Sequence, residues 1–327
     1  MATLNKKLIF KRVLWVFIPA VLVLFVGVFG LSFYLIHHLA HPPKNELTGS
    51  PRDFQIILQK PVWSDEKWKN ADGTQAMGWL LNQNRVAPAV ILTHGYSSNR
   101  SDLLTLSVEL YKAGYHVLLY DMRGHGESPV NKSGFGMYEK DDLISAIKFL
   151  KGLTSKSGEE LNDGRIGLYG VDLGGYATLA ASDEDPAIKA VAVDSPFPSV
   201  EQFINYRLKY VIGGNNSMVK GLADYSLTKE VLGLTSQAYF MTKDDKSDVI
   251  ESVRLSSNRR FLFIHGKTGS PTDLLTKEIF DETKGQKEII EVEKTRQERL
   301  YTTESAAYDE RVVKFFQAAI PTTAPKK

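Results

Sequence analysis

Residues 165–180, RIGLYGVDLGGYATLA, decide how the chain is read. The run 166–169 is short and apolar, as in a strand covered on both faces, and 175–181 continues with small and apolar residues suited to a buried helix. Only Gly170, Val171, Asp172, Leu173 and Gly174 remain to turn one into the other. A strand that turns so sharply into a helix strains the backbone of its apex residue, here Asp172. The residues two before and two after the apex must then be small. Gly170 and Gly174 meet that need, and the side chain the turn projects is a carboxylate.

Working outward, strand and helix signals alternate on both sides. Apolar runs at 54–58, 76–81, 89–93, 116–120, 190–193, 261–264 and 288–292 read as further strands, with Asp72-Gly73 as the turn between the first two. Helical spacing covers 101–112, 138–150, 272–282 and 307–319, and puts Leu143, Ile147 and Leu150 on one face. This alternation predicts an α/β fold: a doubly wound, mostly parallel sheet of about eight strands with right-handed crossovers. The interval 197–260 is far too long for one crossover helix and reads as a mostly helical cap insertion. Residues 53–320 form the expected domain, and 321–327 a polar tail.

The chain has 327 residues, 43% hydrophobic and 24% charged, enough for one substantial domain with accessories. Forty basic and 38 acidic residues are spread throughout, which excludes the one-sided charge of a nucleic-acid binder. There is no cysteine, hence no disulfide, thiolate nucleophile or thiolate metal site. No cofactor and no metal site is expected.

Residues 13–36 carry no charge and as a helix span about 36 Å, which crosses a bilayer with some tilt. Lys6, Lys7, Lys11 and Arg12 precede this run and His37, His38 and His41 follow it. By the positive-inside rule 1–12 is cytoplasmic, 13–36 a single-pass membrane anchor, and the bulk of the chain extracytoplasmic. The Pro- and Gly-containing stretch 37–52 reads as a linker.

Several motifs occur in a fixed order: DGTQAMGW (72–79), ILTHGYSSNR (91–100), YDMRGHGES (120–128), RIGLYGVDLGG (165–175), VDSPF (193–197), FLFIHG (261–266) and YDERVVKFF (308–316). In this order they resemble the α/β-hydrolase superfamily, in particular its serine esterase and S9/S33 peptidase-like branch, over residues 53–320. The resemblance implies a nucleophile at position 172, within G-x-S-x-G, where this chain has Asp172. It implies an oxyanion hole from the backbone N–H groups of Tyr96 and Leu173, with His94, Gly95, Asp194, Ser195 and His265 in the surrounding loops. The catalytic acid of the family falls on Gly269 and the catalytic histidine on Gln297. All seven histidines lie at or before His265, so no alternative alignment supplies the base.

Three readings follow. Asp172 is a nucleophile, as in haloalkane dehalogenases and epoxide hydrolases, with Asp194 or Asp273 as a displaced acid, but the ester it forms then lacks a histidine to activate water. Alternatively the nucleophile has moved to Ser97, Ser98 or Ser195, assisted by His94, His125 or His265. The third reading is a pseudoenzyme, in which Asp172 sits in the oxyanion hole as an anion held by two amides. Triad members act as a unit, so loss of one removes selection on the others, and three separate substitutions favour this reading. The expected partners are the membrane and either an acyl or peptide-like ligand or a protein.

Overall fold

The computed structural model describes residues 6–54, 63–212, 217, 221, 225–240, 249–296 and 304–322. It divides into two compact units, one of residues 40–207 with 245–327 and one of 1–39 with 208–244.

The larger unit contains an eight-stranded sheet: β1 (Trp63–Lys69), β2 (Gln75–Leu81), β3 (Ala87–Thr93), β4 (His116–Tyr120), β5 (Asn162–Val171), β6 (Ile188–Asp194), β7 (Arg260–Gly266) and β8 (Gln286–Val292), in the order 1-2-4-3-5-6-7-8. β2 is antiparallel to both β1 and β4, and the other pairings are parallel. Every residue of β3 and β4 is buried, which is why these strands read as unbroken apolar runs and not as alternating ones. Helices α2 (Leu104–Lys112), α3 (Glu139–Lys151), α4 (Leu173–Ala180), α8 (Pro271–Glu282) and α9 (Glu304–Ala319) alternate with the strands. On α3, Leu143, Ile147 and Leu150 are all buried, as their spacing predicts.

Register places the chemistry. Thr93 of β3 pairs with Gly170 of β5, Val171 pairs with Asp194 of β6, and Asp194 pairs with Ile264 of β7. The loops beginning at His94, Asp172, Ser195 and Lys267 therefore leave the carboxyl edge of the sheet side by side, where open parallel sheets bind ligands.

Three expectations change. The first strand is Trp63–Lys69; the predicted strand at 54–58 starts at the end of a 3-10 turn, Pro51–Phe54, and its remaining residues lie outside those described. The stretch 37–52 is no free linker. Residues 37–40 complete helix α1 (Lys6–Ala40), and the chain beyond is pinned to the larger unit: Lys44 Nζ donates to Ser128 O (2.5 Å) and Asn131 Oδ1 (2.8 Å), and Asn99 Nδ2 donates to Asn45 O and Glu46 O. The 197–260 insertion is divided. Its start, with α5 (Val200–Tyr206), and its end, with α7 (Val249–Leu255), belong to the larger unit, whereas 208–244, with α6 (Ser226–Phe240), groups with α1. Trp15–Ala40, with a mean hydropathy of 2.6, is long and apolar enough to cross a membrane.

Candidate functional site

Asp172 stands between β5 and α4 at φ 54° and ψ −114°. A Cβ on Gly170 would lie 2.3 Å from Gly174 O, and one on Gly174 would lie 2.3 Å from His94 O, so both glycines are required by backbone packing. The side chain of Asp172 does not cap its own helix. Its Oδ2 accepts from the amide of Tyr96 (3.0 Å) and from the guanidinium of Arg207, while Oδ1 is buried without a hydrogen-bond partner. Gly95 lies beside this carboxylate: a Cβ there would stand 3.4 Å from Asp172 Cβ, an ordinary van der Waals contact.

Arg207 was not foreseen from the sequence. It follows α5, whose start is capped by Ser199 accepting from the Gln202 amide (3.2 Å), and it opens a π-helical turn, Arg207–Ile212. Its guanidinium carbon lies 4.6 Å from the Tyr96 ring centroid, 5.1 Å from Phe203 and 5.7 Å from Tyr206. Three aromatic faces thus hold the cation against the carboxylate. The available signal was FINYR, residues 203–207: an arginine four residues after Phe203 on the same helical face. Arg207 is therefore a partner of Asp172 Oδ2 that the sequence did not announce. Burial pushes the Asp172 carboxyl above the usual carboxylate range, while Arg207 and the Tyr96 and Leu173 amides act the other way by favouring the anion.

The histidines at the strand ends serve the loops. His94 Nδ1 lies 2.8 Å from Gly95 O, and its Nε2 accepts from the Met122 amide (3.0 Å). His125 Nδ1 lies 2.9 Å from Arg123 O, its Nε2 has no hydrogen-bond partner, and its ring packs edge-on against Tyr96. Burial pushes His94 down to about 4 and His125 to about 3, so both rings are neutral at pH 7. His265 Nδ1 lies 2.7 Å from Gly266 O. The recorded partners of the Asp172 carboxylate thus include no imidazole.

Gly269, at the acid position, has φ +66° and open space around it. Asp273, the neighbouring carboxylate, is spent on its own loop: it accepts from Gly266 N (2.7 Å), Ser270 N (2.7 Å) and Thr268 Oγ1 (3.1 Å), and completes the capping box of α8. Gln297, at the base position, lies outside the described residues. Arg296 just before it donates its amide to Asp194 Oδ2 (2.8 Å).

Asp194 is completely buried and also accepts from Tyr308 Oη (2.6 Å) and Ser195 Oγ (2.8 Å). Burial raises its carboxyl to about 6 against these donors. Ser195 is equally buried and bonded to this carboxylate, and Ser98 Oγ donates to Asp102 Oδ2 (2.5 Å). Ser97 is held at φ 55°, with its carbonyl accepting from Asn45 Nδ2 (2.7 Å).

A doubly wound sheet whose strand β5 turns through a strained apex into a helix, with the HG loop of β3 donating an amide to that apex residue, is the architecture of an α/β hydrolase. Residues 88–228 match the family model described as the alpha/beta hydrolase fold. It is 26% identical over 249 residues to the uncharacterized protein YqkD of Bacillus subtilis, covering 73% of this chain and 76% of YqkD. An esterase of Pyrococcus furiosus superposes with a TM-score of 0.62 at 21% identity, over 86% of this chain and 99% of the esterase. The Penicillium α/β hydrolase GrgF superposes at 0.57 and 19%, over 79% and 99%. These likenesses establish the fold.

Proposed function

We propose that this protein is a membrane-anchored pseudohydrolase, a hydrolase scaffold retained for binding an acyl or peptide-like ligand or a protein partner, with covalent turnover lost. One observation carries the reading: at the apex where a nucleophile would attack, the Asp172 carboxylate is already engaged by the Tyr96 amide and the Arg207 guanidinium. With its oxygen engaged by a cation and an amide, it is a weak nucleophile, and it occupies the donor that an oxyanion would need. Gly269 supplies no acid, and position 297 holds Gln in place of a base. Loss of such a unit costs about a millionfold in turnover. The basic cluster before the apolar span supports a cytoplasmic N-terminus and an extracytoplasmic domain.

The test compares the native chain with a variant carrying Asp172→Ser, Gly269→Asp and Gln297→His on p-nitrophenyl esters and with a fluorophosphonate probe. The native chain should hydrolyse no faster than buffer and leave Ser97, Ser98 and Ser195 unlabelled; the variant should gain label at position 172. Multiple turnovers by the native chain would falsify the reading. The unpartnered Asp172 Oδ1 favours a second reading, attack on an alkyl halide or epoxide. Its signature is a stable mass increment on the peptide containing Asp172.

A further inference from the structure

Helix α1 changes character along its length. Every side chain from Trp15 to Val28 is exposed, whereas Ser32, Ile36 and Leu39 are buried along one face. Helix α6 belongs to the same compact unit, and its Tyr239 ring meets Phe33 edge-on at 5.1 Å between centroids, while its Oη lies 3.0 Å from His37 Nδ1. A hydrocarbon core about 30 Å thick takes about 20 helical residues. Counted from Val13, the first residue after Arg12, that length ends at Ser32. Phe33 and His37 therefore fall at the far interface, and Tyr239 with them, at the depth where an amphipathic ring is favoured.

Around α6, Leu227, Val231, Leu234 and Ala238 follow one another at spacings of four, three and four, which is one helical face. Leu227 is 67% and Leu234 57% exposed. Tyr225, just before the helix, is 68% exposed, and Leu232, Thr235, Ser236 and Phe240 are buried on the other side. Glu230 and Gln237, both exposed, flank the apolar face. A helix with its inner side on the protein, one apolar outer face and a polar flank, fixed to a span at interface depth, has the geometry of an interfacial helix.

We infer that the bilayer crossed by α1 is also the partner of α6, with Leu227, Val231, Leu234 and Ala238 bedded in the acyl region of its far leaflet. The same compact unit holds the exposed side chains of α1, and the inference rests on the membrane-anchor part of the proposed function. It makes this segment of the insertion a second membrane contact and holds it against the lipid phase.

The chain has no cysteine, so single-cysteine variants can be labelled cleanly. Phe25→Cys, Leu227→Cys, Leu234→Cys and Lys156→Cys, the last in an exposed turn of the larger unit, are labelled with NBD. The full chain is then placed in phosphatidylcholine vesicles carrying phosphatidylcholine doxyl-labelled at a shallow or a deep position. The labels at 227 and 234 should shift to the blue and lose most of their emission to the shallow quencher, that at 25 to the deep one, and that at 156 to neither. If 25 is quenched while 227 and 234 behave like 156, the anchor stands and the inference is overturned. A blue shift at 227 and 234 without quenching marks a protein occupant and overturns it too. If no position is quenched, the anchor reading fails and takes the inference with it.

Discussion

The pairing of Asp172 with Arg207 sets what single substitutions do near the elbow. Asp172 is 2% exposed and Arg207 9%, so removing the cation leaves an uncompensated buried carboxylate. Arg207→Met should lower unfolding free energy by about 3 kcal/mol in urea titrations, and adding Asp172→Asn should recover most of the loss, because a buried pair costs more to break than to replace. Asp194 gives the pH dependence its sign. Its carboxyl is raised to about 6 in the folded chain, against about 3.9 unfolded. Its contribution is complete below pH 4 and is lost as pH rises to about 6, a difference of roughly 3 kcal/mol. His94 and His125, lowered by burial, contribute the opposite slope, present above pH 6.5 and lost on acidification. Subtracting the pH–stability curve of Asp194→Asn from that of the native chain cancels the histidines. The difference should fall between pH 4 and 6; a flat difference would show that Asp194 stays ionised.

The turn from β5 into α4 depends on backbone contact more than on side chains. A methyl group at Gly174 would meet His94 O at 2.3 Å and Thr93 O at 2.6 Å, neither of which can move without shifting β3. Gly174→Ala should cost about 3 kcal/mol, at the upper end of overpacking penalties, measured as the urea midpoint. Gly269→Ala meets no neighbour; only its φ of +66° penalises it, by about 1 kcal/mol. At this scale the sequence was readable. The strands buried on both faces announced themselves as apolar runs, and the elbow announced itself by its two glycines. The first strand was not readable, since WSDEKWK in β1 has only Trp68 buried and carries charge along its exposed positions.

Across the whole molecule, the charge imbalance around the apolar span fixes the expected orientation. Lys156→Cys should react with a membrane-impermeant maleimide on intact cells, and Thr3→Cys only after lysis; the reverse pattern would invert the topology. The stretch 37–52 was read as a linker because its composition is that of one, yet Lys44, Asn45 and Thr48 bind loops more than 50 positions away. Composition reports what a segment can do when alone, whereas these contacts exist only once the sheet has brought residues 97–131 to the same place.

The sequence by itself determined the α/β architecture, the apex position of Asp172, the residue types at positions 269 and 297, and the apolar length of the N-terminal helix. These are properties of period, spacing and residue type, which act over a turn or a strand. The tertiary structure alone decided that Asp172 meets Arg207, that Asp194 is bound by Arg296 and Tyr308, and that Tyr239 meets Phe33. Each of these three joins residues distant in the chain, up to 206 positions apart, and no local preference encodes such a contact: it arises when separate elements must bury polar and aromatic groups against one another.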